Sequence, residues 1–199
     1  MSENPFCTRH IRPGAHPFLF PSGQDANTLV KRLRCNGWRG QIIGRHGTGK
    51  SALLGTLMPA LERAKQRPLL VELHDGQRRL PVDLERAHRS RPFTLLAIDG
   101  YEQLARYERW RLSRRCRRHG WGLLATAHES VGLPELFHTE ATAELAVEIV
   151  RRLTGDSCPF SPEELAEHLA RRGGDLREML FDLYDVFERR RSASERNVN

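Results

Sequence analysis

Lysine is almost missing from this chain: of 32 basic residues, 29 are arginine and only Lys31, Lys50 and Lys65 are not. Long apolar runs are missing too. None approaches the roughly 20 residues that a membrane-spanning helix needs, so no membrane partner is expected. Met1 to Arg12 holds no apolar core of the kind a secretory leader carries. The four cysteines, at positions 7, 35, 116 and 158, lack the close pairing of a zinc site or redox motif. Reduced thiols in a soluble, cytoplasmic protein are the expectation. No internal repeat is visible, and 199 residues suit one α/β domain with a small appendage. A net charge of +7 permits contact with nucleic acid or another polyanion without establishing it.

What the chain does contain is Gly44-Arg45-His46-Gly47-Thr48-Gly49-Lys50-Ser51, which fits G-x-x-x-x-G-K-[ST] with nothing inserted. Glycines let a backbone turn around a phosphate chain, so that successive N–H groups and a helix N-terminus point inward. Gly44 to Ala52 is therefore the expected nucleotide-binding set. Lys50 is placed to reach the β and γ phosphates of ATP, and Ser51 to give its hydroxyl to Mg²⁺. A composition this averse to lysine still has one where the loop needs it.

Along the chain, four prolines between Asn4 and Pro21 forbid a long helix and predict an extended arm. Arg12, His16 or Phe18 of that arm could close over a nucleotide base, although aromatic arm residues mostly just pack. A helix is expected from Asp25 to Cys35, ended by Asn36-Gly37. Gln41-Ile42-Ile43 reads as a strand running into the phosphate loop, and Ala52 to Lys65 as the helix behind it. Pro68 to Asp75 and Phe93 to Gly100 are further apolar strands, joined by a helical or irregular link at Val82 to Ser90. Near-continuous apolar runs of this kind suit a parallel sheet covered on both faces.

Asp99 ends its strand where a Walker B aspartate would hold magnesium through water; the competing reading is an acid capping the next turn. Tyr101 to Arg118 is predicted as one helix, the most basic part of the chain. It could meet the phosphates of a nucleic acid, offer an arginine to a neighbouring subunit's ATP, or be a solvated flank. Gly122 to His128 is a strand that turns polar at its end, where the two-residue period puts Thr126 and His128 on one side. Either could sense a γ phosphate, or simply cap a loop. Glu135 to His138 reads as a short edge strand, followed by a helix from Ala141 to Leu153. Ser161-Pro162-Glu163-Glu164 is a helix start with Ser at the cap, and Asp175 opens another helix through Arg190. The expected organisation is an arm and helix over 1–40, a core over 41–140, a helical lid over 141–190 and a disordered tail over 191–199.

These elements resemble the P-loop NTPase superfamily, in its additional-strand ATPase division. Gly173-Gly174-Asp175-Leu176-Arg177-Glu178-Met179-Leu180 is similar to the sensor-2 helix in the lid of AAA+ ATPases of the origin-initiator type. The resemblance covers residues 41–190. It implies a three-layer α/β core with a parallel sheet and a small helical lid, an ATP and Mg²⁺ cofactor pair, and Arg177 reporting on the γ phosphate. Typical AAA+ members carry Glu directly after the Walker B aspartate, but here Gly100 follows Asp99. The water-polarising carboxylate then falls to Glu102 or to Glu72, since ATPases of the RecA type supply theirs from the second strand. No arginine lies between His119 and Val150, where an AAA+ trans finger usually sits.

The expected function is a Mg²⁺-dependent ATPase acting as a nucleotide switch on a nucleic acid, a protein partner or further copies of itself. Two alternatives stand beside it. One is a nucleotide or small-molecule kinase, because the strand ending Ile98-Asp99-Gly100-Tyr101 resembles that of adenylate-kinase-like enzymes. The other is a non-catalytic regulator that binds nucleic acid through the Arg106 to Arg118 helix and uses ATP only as a switch.

Overall fold

The computed structural model of the chain describes residues 4–7, 17–155 and 158–196. They divide into two units. One is built from Phe20–Gly44 and Lys50–Thr139; the other is drawn from Met1–Leu19, Arg45–Gly49 and Glu140–Asn199.

The first unit is a five-stranded parallel sheet with helices on both faces. Its strands are β1 (Arg39–Ile43), β2 (Pro68–Glu72), β3 (Leu95–Asp99), β4 (Gly122–Ala127) and β5 (Glu135–His138), in the spatial order β2-β3-β4-β1-β5. All pairings are parallel, as the unbroken apolar runs require. The insertion of β4 between β1 and β3 brings the ends of these three strands side by side. Alternation along each strand divides the core. Leu96, Ile98, Leu123 and Ala125 join a cluster with Leu84, Leu112, Cys116 and Trp121 on one face. Leu95, Ala97 and Leu124 are equally buried but point the other way.

The helices follow from local signals. In α1 (Ala26–Cys35), the Asp25 carboxylate accepts from the Thr28 N–H at 2.6 Å, and Leu29, Val30 and Leu33 are buried. This helix, assigned with the arm from sequence, belongs to the sheet unit because its apolar side packs on α2 (Lys50–Arg63). The link between β2 and β3 forms α3 (Leu84–Ser90), capped by Asp83. The single helix predicted over 101–118 is instead a 3₁₀ turn, Tyr101–Gln103, followed by α4 (Arg106–His119). Leu104 breaks it with an extended backbone (φ −63°, ψ 138°), while Tyr101 and Leu104 are both buried. No helix among the described residues is long and apolar enough to cross a membrane.

The second unit contains α5 (Ala143–Thr154), α6 (Pro162–Arg171) and α7 (Leu176–Arg196). Ser161 and Glu164 form the reciprocal capping box expected from their spacing, with bonds of 3.2 and 2.9 Å. Phe6 of the arm is fully buried in this unit's core, edge-on to Phe160 at 5.8 Å and to Phe187 at 6.0 Å. Nearby, Asn4 donates to Glu188 at 2.8 Å. The helix α7 runs on to Arg196, so residues 191–196, read from sequence as disordered tail, are helical. Local pairing such as Arg191 with Glu188 (2.8 Å) supports such an extension without any apolar face.

Burial predicts unequal sensitivity within the sheet. Leu123→Ala, at a fully buried central position, should lower stability by about 2–5 kcal/mol in urea denaturation. Leu70→Ala on the edge strand β2, where the side chain is 38% exposed, should change it by only about 0.5 kcal/mol.

Candidate nucleotide-binding site

The phosphate loop begins where β1 ends. Gly44 N–H donates to the Ala127 carbonyl at 3.2 Å, which carries the β1–β4 ladder one residue into the loop. Lys50 opens α2, and its Nζ donates to the Gly44 carbonyl at 2.7 Å. The ammonium is thus held by the loop's first residue. Ser51 and Ala52 lie in the first turn of α2, where backbone N–H groups have no intrahelical acceptor and favour an anion.

Two of the glycines are required sterically. Gly47 and Gly49 have φ of +70° and +94°, a region that side-chain-bearing residues rarely enter. A Cβ on Gly47 would fall 1.8 Å from Asp175 Oδ1, and one on Gly49 would meet the Phe18 ring at 3.3 Å. Within the loop, Thr48 donates to the Arg45 carbonyl at 2.8 Å. Phe18 therefore lies against the loop. Arg12 and His16, the other arm residues considered for base contact, lie outside the described residues.

Asp175 joins the start of α7 to residues of this loop. Its Oδ1 accepts from the N–H groups of Arg177 (2.9 Å) and Glu178 (3.0 Å), a helix cap, and its Oδ2 lies 2.8 Å from His46 Nδ1. Partial burial by itself would raise the Asp175 pKa, but the His46 bond and the two N–H groups outweigh it and hold the carboxyl below its ordinary value. The Arg177 guanidinium is 5.9 Å from the centre of the Phe181 ring, one turn along the exposed side of α7. The sequence singles out Arg177 for the site and places Asp175 only as the residue that opens the helix. The signal was present, since an Asp before a helical run is a capping residue, but its second bond to His46 has no local signature.

At the ends of β3 and β4, Asp99 and Thr126 are joined. The Thr126 hydroxyl, fully buried, donates to Asp99 Oδ1 at 2.5 Å and accepts from the Gly100 N–H at 2.9 Å. Its donor and one acceptor site are thereby used at the end of β3. Carboxylate and hydroxyl oxygens such as those of Asp99 and Ser51 are hard donors of the kind Mg²⁺ takes together with phosphate oxygens. Among the described residues no group of three or more His, Cys, Asp or Glu side chains could hold a metal by itself.

The two candidate carboxylates differ in surroundings. Glu72 pairs in register with Asp99 on the neighbouring strand and is exposed at the sheet edge. Glu102 lies in the 3₁₀ turn, its Oε1 3.4 Å from His128 Nε2 and its Oε2 buried without a hydrogen-bond partner. Gly100 lies between Asp99 and the 3₁₀ turn that carries Glu102. Its φ is +78°, and a Cβ there would come within 3.0 Å of the Leu73 carbonyl, so any side chain at position 100 is strained.

Two stability measurements check this geometry. Gly100→Ala should cost about 1–2 kcal/mol in chemical denaturation. Asp175→Ala should cost about 0.5–2 kcal/mol near neutral pH through loss of the cap. A carboxyl held below its ordinary pKa contributes stability above that value and loses it as pH falls through the lowered one. The difference between wild type and Asp175→Ala should therefore shrink in acid, below about pH 4.

Comparison with models of protein families gives no match, and comparison with curated proteins gives none either. Solved structures do match. A replication initiator DnaA bound to AMPPCP and single-stranded DNA superposes with a TM-score of 0.55 at 15% identity, over 90% of this chain and 68% of that one. A DNA replication initiation factor gives 0.55 at 13% identity, over 88% and 66% of the two chains. AMPPCP-bound DnaA from Aquifex aeolicus gives 0.52 at 16% identity, over 90% and 68%. At such identities the likeness is one of fold: the chain has the α/β fold of a P-loop NTPase, in the arrangement of the AAA+ ATPase domains of DnaA.

Proposed function

We propose that the protein is an ATP-binding, Mg²⁺-dependent ATPase that acts as a nucleotide switch on a nucleic-acid or protein partner. The observation that carries this reading is the β1–loop–α2 element with Lys50 at its helix start, set one strand away from a β4 whose Thr126 orients Asp99. The DnaA neighbours bound to AMPPCP support nucleotide binding by this fold.

In this proposal the loop N–H groups and Lys50 hold the phosphates, and Lys50 exchanges its Gly44 carbonyl partner for phosphate oxygen. Ser51 and Asp99 would hold magnesium, which would supply charge neutralisation on the phosphates. Thr126 acts through Asp99 as a positioning residue. Glu102 takes the proton of the attacking water, with His128 setting the direction of its carboxylate. The buried, unpartnered Oε2 favours Glu102 over the exposed Glu72, because such an oxygen costs stability unless a ligand or water uses it. Arg177 leaves Phe181 to meet the γ phosphate, a cation–π contact of only about 0.5–1 kcal/mol at an exposed site. This exchange would link the nucleotide state to the start of α7.

Lys50→Ala should abolish ATP binding in calorimetry; unchanged binding would sink the proposal. Glu102→Gln should keep ATP binding and lower the hydrolysis rate by about 10²–10⁴-fold, with Glu72→Gln near wild type. The reverse pattern would transfer the role to Glu72. Phosphate appearing on an added nucleoside monophosphate, rather than in solution, would replace the ATPase with a kinase.

A further inference from the structure

The outer face of α4 exposes what a folded domain normally covers. Tyr107 and Trp110 are 65% and 57% exposed, and they are two of the four exposed large hydrophobic side chains among the described residues. Their rings stack, with centroids 6.0 Å apart and planes 23° from parallel. Arg111 lies over Tyr107 at 5.7 Å and Arg114 over Trp110 at 5.8 Å. Helical spacing puts 107, 110, 111, 114 and 118 on one side, while Leu112 and Cys116 enter the core from the other. The result is a stripe about 16 Å long of alternating rings and guanidinium groups. It borders an open groove of about 640 Å³.

Charge selects the occupant. The 14 residues of α4 contain seven arginines and one acid, Glu108, which is already bonded to Arg111 at 3.2 Å. The acids at the groove's rim are engaged as well: Glu85 with Arg115 at 2.8 Å, and Asp83 as the cap of α3. A protein partner would need an acidic surface that is also rich in flat apolar groups. A single-stranded nucleic acid supplies both, with phosphates for the arginines and base faces for the rings. In a duplex those base faces are stacked on each other and closed to side chains.

We infer that the Tyr107–Trp110–Arg111–Arg114 face of α4 binds single-stranded nucleic acid, with the two rings stacking bases and the arginines neutralising the backbone. The inference builds on the proposed switch by naming its partner's class. Binding of this kind tolerates sequence, because every base has a π face.

The test is fluorescence anisotropy of labelled oligothymidylate, and of a labelled duplex of equal length, with the full chain. The single strand should bind more tightly than the duplex, with affinity falling steeply with salt. Tyr107→Ala with Trp110→Ala should weaken single-strand binding at least tenfold, since each stacked base contributes about 1–3 kcal/mol. Tyr107→Phe with Trp110→Phe should retain most of it. Arg111→Glu with Arg114→Glu should weaken binding and flatten its salt dependence. All four positions are exposed, so each variant should melt as wild type does. The aromatic variants should bind ATP normally in calorimetry, which separates a failure here from a failure of the phosphate loop. Wild-type affinity in the double alanine variant, tighter binding of the duplex, or no binding of oligothymidylate would each overturn the assignment.

Discussion

A 2.5 Å hydrogen bond from Thr126 to Asp99 ties β4 to β3 at the C-terminal ends of these interior strands, and most of the site's geometry depends on what makes that bond possible. The two residues are 27 apart in sequence and meet only because β4 lies between β3 and β1. The same neighbourhood lets Ala127 accept from Gly44, so the strand that bonds Asp99 also continues the ladder into the loop after β1. Thr126 is fully buried, and a buried hydroxyl is tolerated when both donor and acceptor capacity are used. Here they are used on Asp99 and on the N–H of Gly100.

That second bond carries a consequence for the residue after the aspartate. Gly100 adopts a left-handed backbone so that its N–H faces Thr126 and its carbonyl accepts from Gln103 at 2.9 Å. A side chain at this point would press on the Leu73 carbonyl of the neighbouring chain segment. The turn then buries Tyr101, whose hydroxyl donates to the Arg109 carbonyl, and burial pushes its pKa up to about 12. Burial likewise raises the neighbouring Cys116 thiol to about 11, which leaves it an inert packing group. Glu102 comes next on the turn, and its side chain lies beside His128. Gly100 thus hands the chain from β3 to a 3₁₀ turn, and that turn carries the Glu102 carboxylate.

The helical unit is organised by the cap of α7. Asp175 satisfies two orphan N–H groups and, with its other oxygen, His46. Its approach is close enough that only glycine fits at position 47. The glycines of a phosphate loop are usually explained by the phosphates alone; here one of them is also required by a carboxylate. Phe6, from an arm that sequence reading could only describe as extended, belongs to this unit's core because its ring fits between Phe160 and Phe187.

Much was legible in the sequence, because it rests on local chemistry. The loop from Gly44 to Ser51, the apolar strands with Asp99 and Thr126 near their ends, the Ser161 capping box and the edge strand at 135–138 each follow from spacing and residue type within a few positions. Even the parallel sheet could be read, since strands buried on both faces leave no polar alternation. Other features needed distant parts of the chain to meet. The division of 101–118 into a turn and a helix depends on Leu104 finding a buried place, and the membership of α1 in the sheet unit on its packing against α2. The Thr126 bond to Asp99, the pairing of Glu102 with His128, the clasp of Asp175 on His46 and the exposure of Tyr107 and Trp110 were likewise decided by tertiary structure. A hydrogen bond or a solvent-facing ring depends on what lies across space, and residue spacing along one segment carries no record of that.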